Sequence, residues 1–362
     1  MEASAERQRM AERRLRRDSK NAEKSGETLL DLVIHDHEPA LGGRVRITFV
    51  KRNRELNLPW TRLRVGSPVV ISATGSKEEP MPGVVSRKKQ SSIEVTTNRR
   101  PEAGSADTFR LDISTDQITR TRMQAAMDMA RVSRGRLGKM RELLMGERAP
   151  EFGEPPKIDF AEGQGSTLNE SQQEAVSFAL SARDLAIIHG PPGTGKTTTV
   201  VEFIIQAVKR GDKVLACAPS NTAVDNLLSK LHDRKQRVVR LGHPARVAAH
   251  LQSVTMDGLV AKHENMRVIK DMLREADSLF REIDRYSRAA PPPGARRAMR
   301  DDAKRLKRDA RLMEKQAVEH ILDRADIICA TTTFDASVLG DRWYDLTAVS
   351  YTHLTLPTNR EV

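Results

Sequence analysis

The chain has 362 residues, 38% of them hydrophobic, which is length for two or three domains and apolar matter enough for ordinary cores; an intrinsically disordered chain is excluded. Sixty-one Lys and Arg face 49 Asp and Glu, a formal net charge of +12 that points to a polyanionic partner, nucleic acid before membrane. Aromatics at 4% leave phosphate contacts as the main grip on such a partner, and the two cysteines, Cys217 and Cys329, lie in apolar runs and read as buried thiols, too few for a zinc site.

In chain order, MEASAERQRMAERRLRRDSK is charged throughout, lacks the apolar stretch of a signal peptide and predicts an exposed stalk helix over 1–24. No later run has the length to cross a bilayer, so the expected compartment is the cytoplasm, with no membrane partner. Residues 25–115 carry six short β-rich runs (LLDLVIHD, RVRITFV, PVVISAT, GVVSRK, SIEVTT, FRLDIS) parted by Gly, Pro, Asn and Ser, the pattern of a small antiparallel β-barrel. Helical spacing returns over 116–150, a second stalk helix, and a Pro- and Gly-rich linker fills 151–167. Beyond it, over 168–349, the texture is α/β. Apolar runs at 184–190, 213–220, 237–243 and 325–333 alternate with helical stretches at 196–210 and 221–235 and predict a parallel sheet covered by helices. Residues 249–322 are charged and helical, broken by AAPPPGAR at 289–296, as in an antiparallel helical hairpin. A solvated charged surface explains that hairpin as well as a nucleic-acid arm does.

The strongest signal is GPPGTGKT at 190–197, a glycine-rich phosphate loop set between an apolar run and a helical one. Gly190, Gly193 and Gly195 let the backbone curl so that N–H groups face phosphate oxygens at a helix N-terminus. Lys196 reaches the β and γ phosphates, Thr197 offers a hydroxyl to Mg2+, and Thr194 and Thr198 complete the expected ATP-binding set. Thr198 also reads simply as a helix residue.

Upstream, LNESQQEAV places Gln172, whose amide both donates and accepts and so matches the edge of adenine, although Asn169 or Ser171 equally reads as a helix cap there. Downstream, APSNTAVDNLL offers Pro219, Ser220 and Asn221 where the second strand meets a helix, and the fourth strand ends in Thr331, Thr332 and Thr333. Together these strand ends could form a groove for single-stranded DNA or RNA; each alone is more often a cap.

Taken in order, LNESQQEAV, GPPGTGKTTT, CAPSNTAVDNL, RLGHPAR and ADIICATTT resemble the N-terminal motifs of superfamily 1 helicases of the nonsense-mediated-decay (Upf1-like) group, and within it the immunoglobulin mu-binding branch. The motif match covers about 166–349, and only the layout matches over 1–150. The resemblance implies a RecA-like P-loop domain with a helical insertion, preceded by a stalked β-barrel. It implies 5′-to-3′ movement on DNA or RNA driven by ATP. Gln172 would read adenine, Lys196 and Thr197 would hold phosphate and Mg2+, and Pro219, Ser220, Asn221 and Thr331 to Thr333 would line the single-strand track. A monomer is expected.

In that group the strand matching YDLTAV runs into an Asp-Glu pair that holds Mg2+ and activates water; here Ser350, Tyr351, Thr352 and His353 follow. VSYTHLTLPT back-translates as GTC TCT TAT ACA CAT CTG ACG CTG CCG ACG, which resembles a library-preparation transposase adapter. The expectation is therefore an N-terminal helicase fragment with an artefactual tail over 350–362, itself unable to hydrolyse ATP. The competing readings are a divergent natural tail, and a complete, non-catalytic nucleic-acid-binding module with a vestigial ATP site. Another P-loop ATPase or a small-molecule kinase leaves APSNTAVDN and the barrel without a role.

Overall fold

Alternation of apolar and polar residues along the six β-rich runs becomes β1 (Thr28–Pro39), β2 (Val45–Lys51), β3 (Pro68–Ala73), β4 (Met81–Lys88), β5 (Ser92–Thr97) and β6 (Phe109–Ile113). The computed structural model describes residues 23–73, 80–99, 101, 108–114, 117–158, 160, 168–285 and 294–351. All but the last two residues of the stalk helix expected over 1–24, nearly all of the linker's second half, most of the AAPPPGAR break and the tail from Thr352 lie outside the described residues.

The six strands close an antiparallel barrel in the order β1-β2-β5-β4-β3-β6. Leu29, Ile47, Phe49, Val95, Phe109 and Leu111 fill it, with Phe49 and Phe109 packed edge to face at 5.5 Å between centroids. Leu29 and Leu32 both point inward despite their odd spacing. A register shift between them in the β1–β6 pairing, with Asp31 at φ 50°, turns the strand over by one residue. The chain divides into two compact units, Met1–Gln117 with Asp271–Arg311 and Ile118–Lys270 with Leu312–Val362.

The stretch expected as one helix over 116–150 forms two, α1 (Gln117–Val132) and α2 (Gly135–Leu144). The break comes at Ser133 and Arg134: Ser133 Oγ turns back onto the Ala130 carbonyl at 3.0 Å, Arg134 is extended (φ −117°, ψ 177°), and Gly135, where α2 begins, takes φ +67° outside the helical range.

In the second unit α3 (Glu170–Ser181) and α4 (Lys196–Lys209) precede β7 (Val214–Ala218), α5 (Asn221–Asp233), β8 (Val238–Arg240) and α6 (Met256–Ala261). After α7 (Met266–Arg285) and α8 (Ala295–Arg324), whose facing stretches in the first unit are joined by a Lys307–Asp277 ion pair at 2.8 Å, come β9 (Ile327–Thr331) and β10 (Leu346–Val349). The sheet order is β10-β7-β9-β8, all parallel. Val201, Ile204, Ala216, Val224, Leu227 and Cys329 knit α4 and α5 to it.

One predicted strand is corrected. Residues 184–190 form no ladder; Ala186 and Ile188 pack on the core while Ile187 is 75% exposed. The alternation that predicts a strand is thus real, but a strand also needs a neighbour to take its N–H and C=O groups, and this segment pairs with no strand among the described residues.

Candidate nucleotide and single-strand site

Glycine-turn geometry follows from where side chains cannot stand. Gly193 and Gly195 take φ +84° and +82°, the left-handed region closed to most L residues, and a Cβ on Gly190 would lie 2.8 Å from Thr194 Oγ1. Gly195 is also the N-cap of α4, and no side chain caps that helix. Its first-turn amides and partial positive charge therefore open into the turn, a donor set suited to phosphate oxygens. Lys196 Nζ donates to the carbonyls of Gly190 at 2.6 Å and Pro191 at 2.7 Å, while Thr194 Oγ1 also donates to Pro191 O at 2.9 Å. The ammonium thus rests on two carbonyls of the glycine turn, a place from which it can turn to a polyphosphate.

Gln172 sits against this turn. Asn169 and Gln172 form a reciprocal capping box at the start of α3, Gln172 N donating to Asn169 Oδ1 at 2.9 Å and Asn169 N to Gln172 Oε1 at 3.1 Å. Gln172 Nε2 then donates to Thr194 O at 3.0 Å. Both ends of the amide proposed for adenine are thus engaged within the chain, and the cap is Asn169. Thr197 lies half-buried one residue past Lys196, Thr198 Oγ1 accepts from Lys230 Nζ at 2.9 Å and so ties α4 to α5, and the neighbouring Thr199 hydroxyl turns onto Gly195 O.

The strand ends meet at the carboxyl edge of the sheet. Pro219 and Ser220 are exposed, and Ser220 Oγ caps α5 by accepting from Ala223 N at 3.2 Å. Thr332 N donates to Ala218 O at 3.0 Å, which brings the Thr331 to Thr333 turn beside Pro219. Arg122 of α1 holds that turn from outside, donating to Thr333 O and Asp335 Oδ2, each at 2.9 Å. Ser350 N extends the β10 ladder onto Cys217 O at 2.8 Å, so Ser350 and Tyr351 stand at this same edge.

Asn221 is positioned by Arg240 and Asp225, residues inside the quoted motifs to which the sequence reading gave no role. Arg240, with no exposed surface, donates through Nη2 to Asn221 Oδ1 at 2.8 Å, through Nε to Asp225 Oδ1 at 3.3 Å and through Nη1 to Leu241 O. Asp225 Oδ2 accepts from Ala248 N at 2.9 Å. Burial pulls the Arg240 pKa down, and the adjoining Asp225 carboxylate opposes that. The visible signal was a lone Arg inside the apolar run VVRLG, a charge that burial obliges to find a partner.

Residues 167–339 match the AAA domain family. The chain is 34% identical to the DNA-binding protein SMUBP-2 of Mus musculus over 337 residues, 90% of this chain and 33% of that protein. It is 29% identical over 325 residues to the DNA polymerase alpha-associated DNA helicase A of Schizosaccharomyces pombe, 85% of this chain and 48% of that one. The Regulator of nonsense transcripts 1 homolog of Drosophila melanogaster is 36% identical over 228 residues, 60% and 17% of the two chains. The chain spans about a third of the length of the SMUBP-2 relatives it matches.

Proposed function

We propose that this chain, which carries an AAA domain and is similar to superfamily 1 helicases of the Upf1-like group, an ATP-dependent helicase family, binds ATP with Mg2+ at the glycine turn and single-stranded DNA or RNA along the strand ends. The observation that carries this reading is the uncapped N-terminus of α4 behind two left-handed glycines, with Lys196 folded inward. In this reading Lys196 neutralises the β and γ phosphates and Thr197 supplies a hydroxyl to the metal, while Gly190, Gly193, Thr194, Gly195 and Thr198 shape the cradle. Gln172 reads adenine by exchanging its bond to Thr194 for one to the base. Pro219, Ser220, Asn221 and Thr331 to Thr333 take the strand's phosphates, supported by Arg240 and Arg122.

The layout proposed with it is a β-barrel over 25–115 between stalk helices at 1–24 and 116–150, then the P-loop domain over 168–349 with the 249–322 hairpin inserted. The whole protein works as a 5′-to-3′ helicase, monomeric and cytoplasmic. Among the described residues no helix is long and apolar enough to cross a membrane. Because Ser350 and Tyr351 occupy the tip of β10, where the reaction calls for carboxylates, this chain binds nucleotide without turning it over. That same pair favours the second reading, a binding module with a vestigial ATP site.

Titration with a fluorescent ATP analogue and Mg2+ tests the site. Saturable binding that Lys196→Ala weakens at least about tenfold is expected, with no Lys196-dependent phosphate release. Binding indifferent to Lys196 would overturn the nucleotide assignment, and Lys196-dependent turnover would overturn the inactive one. Affinity for a single strand should fall as salt rises.

A further inference from the structure

Between β2 and β3 the chain crosses the barrel surface, and from Trp60 onward its residues alternate: Thr61 and Leu63 are buried, whereas Trp60, Arg62 and Arg64 face solvent. The ribbon is tied down from inside. Thr61 Oγ1 and Arg62 N donate to Gly26 O at 2.8 and 2.7 Å, Lys88 Nζ to the carbonyls of Thr61 at 3.3 Å and Leu63 at 3.2 Å, and Arg64 N to Ser67 Oγ at 3.0 Å. The six-membered ring of Trp60 rests its Cε3–Cζ3 edge against Gly26, at φ +72°, where any Cβ would collide with it. Even so, Trp60 is 68% exposed. A large aromatic held at one edge, open elsewhere and followed on the same side by guanidiniums two and four residues on, is costly to leave in water.

We propose that Trp60 is a base-stacking platform for single-stranded nucleic acid, with Arg62 and Arg64 taking the flanking phosphates. An indole face stacks on any base, and a preorganised backbone means little order is lost on binding. Arg62 also faces Glu27 at 3.7 Å; both are solvent-accessible, so a phosphate can replace that carboxylate. The net charge of +12 favours the same partner. This inference rests on the single-strand reading above but places a second contact in the other compact unit, on residues outside the helicase motifs.

The test uses the full chain carrying Trp343→Phe, so that Trp60 is the sole indole. It is titrated with a short oligo(dT) and with an abasic oligomer of equal length and charge. Expected are saturable quenching by oligo(dT), little by the abasic strand, and an oligo(dT) affinity lowered about tenfold in Trp60→Ala but less in Trp60→Phe. Oligo(dT) binding without quenching, and with equal affinity in Trp60→Ala, overturns the platform and leaves the rim intact. No binding of either oligomer in low salt overturns both.

Discussion

Gln172 donates its side-chain amide to the main-chain carbonyl of Thr194, 3.0 Å away and 22 residues later in the chain. That bond clips the N-terminus of α3 to the glycine turn, so helix capping and turn geometry share one side chain. Gln172→Glu keeps the acceptor for Asn169 N and loses the donor to Thr194. It should leave unfolding stability close to wild type yet weaken binding of the ATP analogue several-fold. Gln172→Ala loses both functions and should also cost about 1 kcal/mol in urea unfolding. An unchanged affinity in both variants would make the clip idle.

The two left-handed glycines should respond differently to the same substitution. Gly193→Ala meets open space and suffers only the left-handed strain, about 1–2 kcal/mol. Gly195→Ala adds a Cβ 2.7 Å from Gln172 Nε2 and must push the clip aside as well. Nucleotide titration should therefore rank Gly195→Ala below Gly193→Ala; the reverse order would contradict the geometry.

Arg240 is a buried cation held by Asp225 and Asn221. Asp225→Asn keeps the shape and removes the charge partner, and should lower stability by about 3 kcal/mol, since an uncompensated buried charge costs more than a lost surface pair. Single-strand affinity should fall too, because the guanidinium that holds Asn221 is no longer fixed by the Asp225 carboxylate. Denaturant midpoints and oligo(dT) titration read the two effects separately.

At the opposite end of β9, burial alone would raise the Asp326 carboxyl, but hydrogen bonds from Arg237 and Lys213 outweigh it and hold the pKa below the ordinary range. A carboxylate depressed by folding stabilises the native state above its unfolded pKa, about 3.9, and loses that contribution as pH falls through the folded value. The stability gap between wild type and Asp326→Asn should be constant near neutrality and close below about pH 4. A gap that stays constant on acidification would refute the assignment.

Burial pushes the thiol of Cys217 up to about 11 and that of Cys329 up to about 12, with Arg240 opposing both shifts. Neither should be labelled by a thiol reagent at pH 8 in the native chain, and both should react on unfolding. Rapid native labelling of Cys329 would mean that β9 is not central.

Strands with a period of two, the glycine spacing of GPPGTGKT and the helical runs after it were legible because each rests on local physics: side-chain direction, φ preference, capping. The barrel strands, α4, α5 and the strands at 214–218, 238–240, 327–331 and 346–349 accordingly fall where their residues predict them. Residues 184–190 failed the same test, since an alternating segment becomes a strand only if another chain segment completes its hydrogen bonds.

The sequence by itself determined that this chain builds a barrel and a P-loop α/β domain, since apolar periodicity and obligatory glycines act within a few residues. Only the tertiary structure decided that Gln172 touches Thr194, that Arg240 braces Asn221, and that Trp60 stands on Gly26 with its ring in solvent. Those pairs lie 22, 19 and 34 residues apart, and which side chains meet across such distances depends on strand order and on the closure of the barrel, which no local preference encodes.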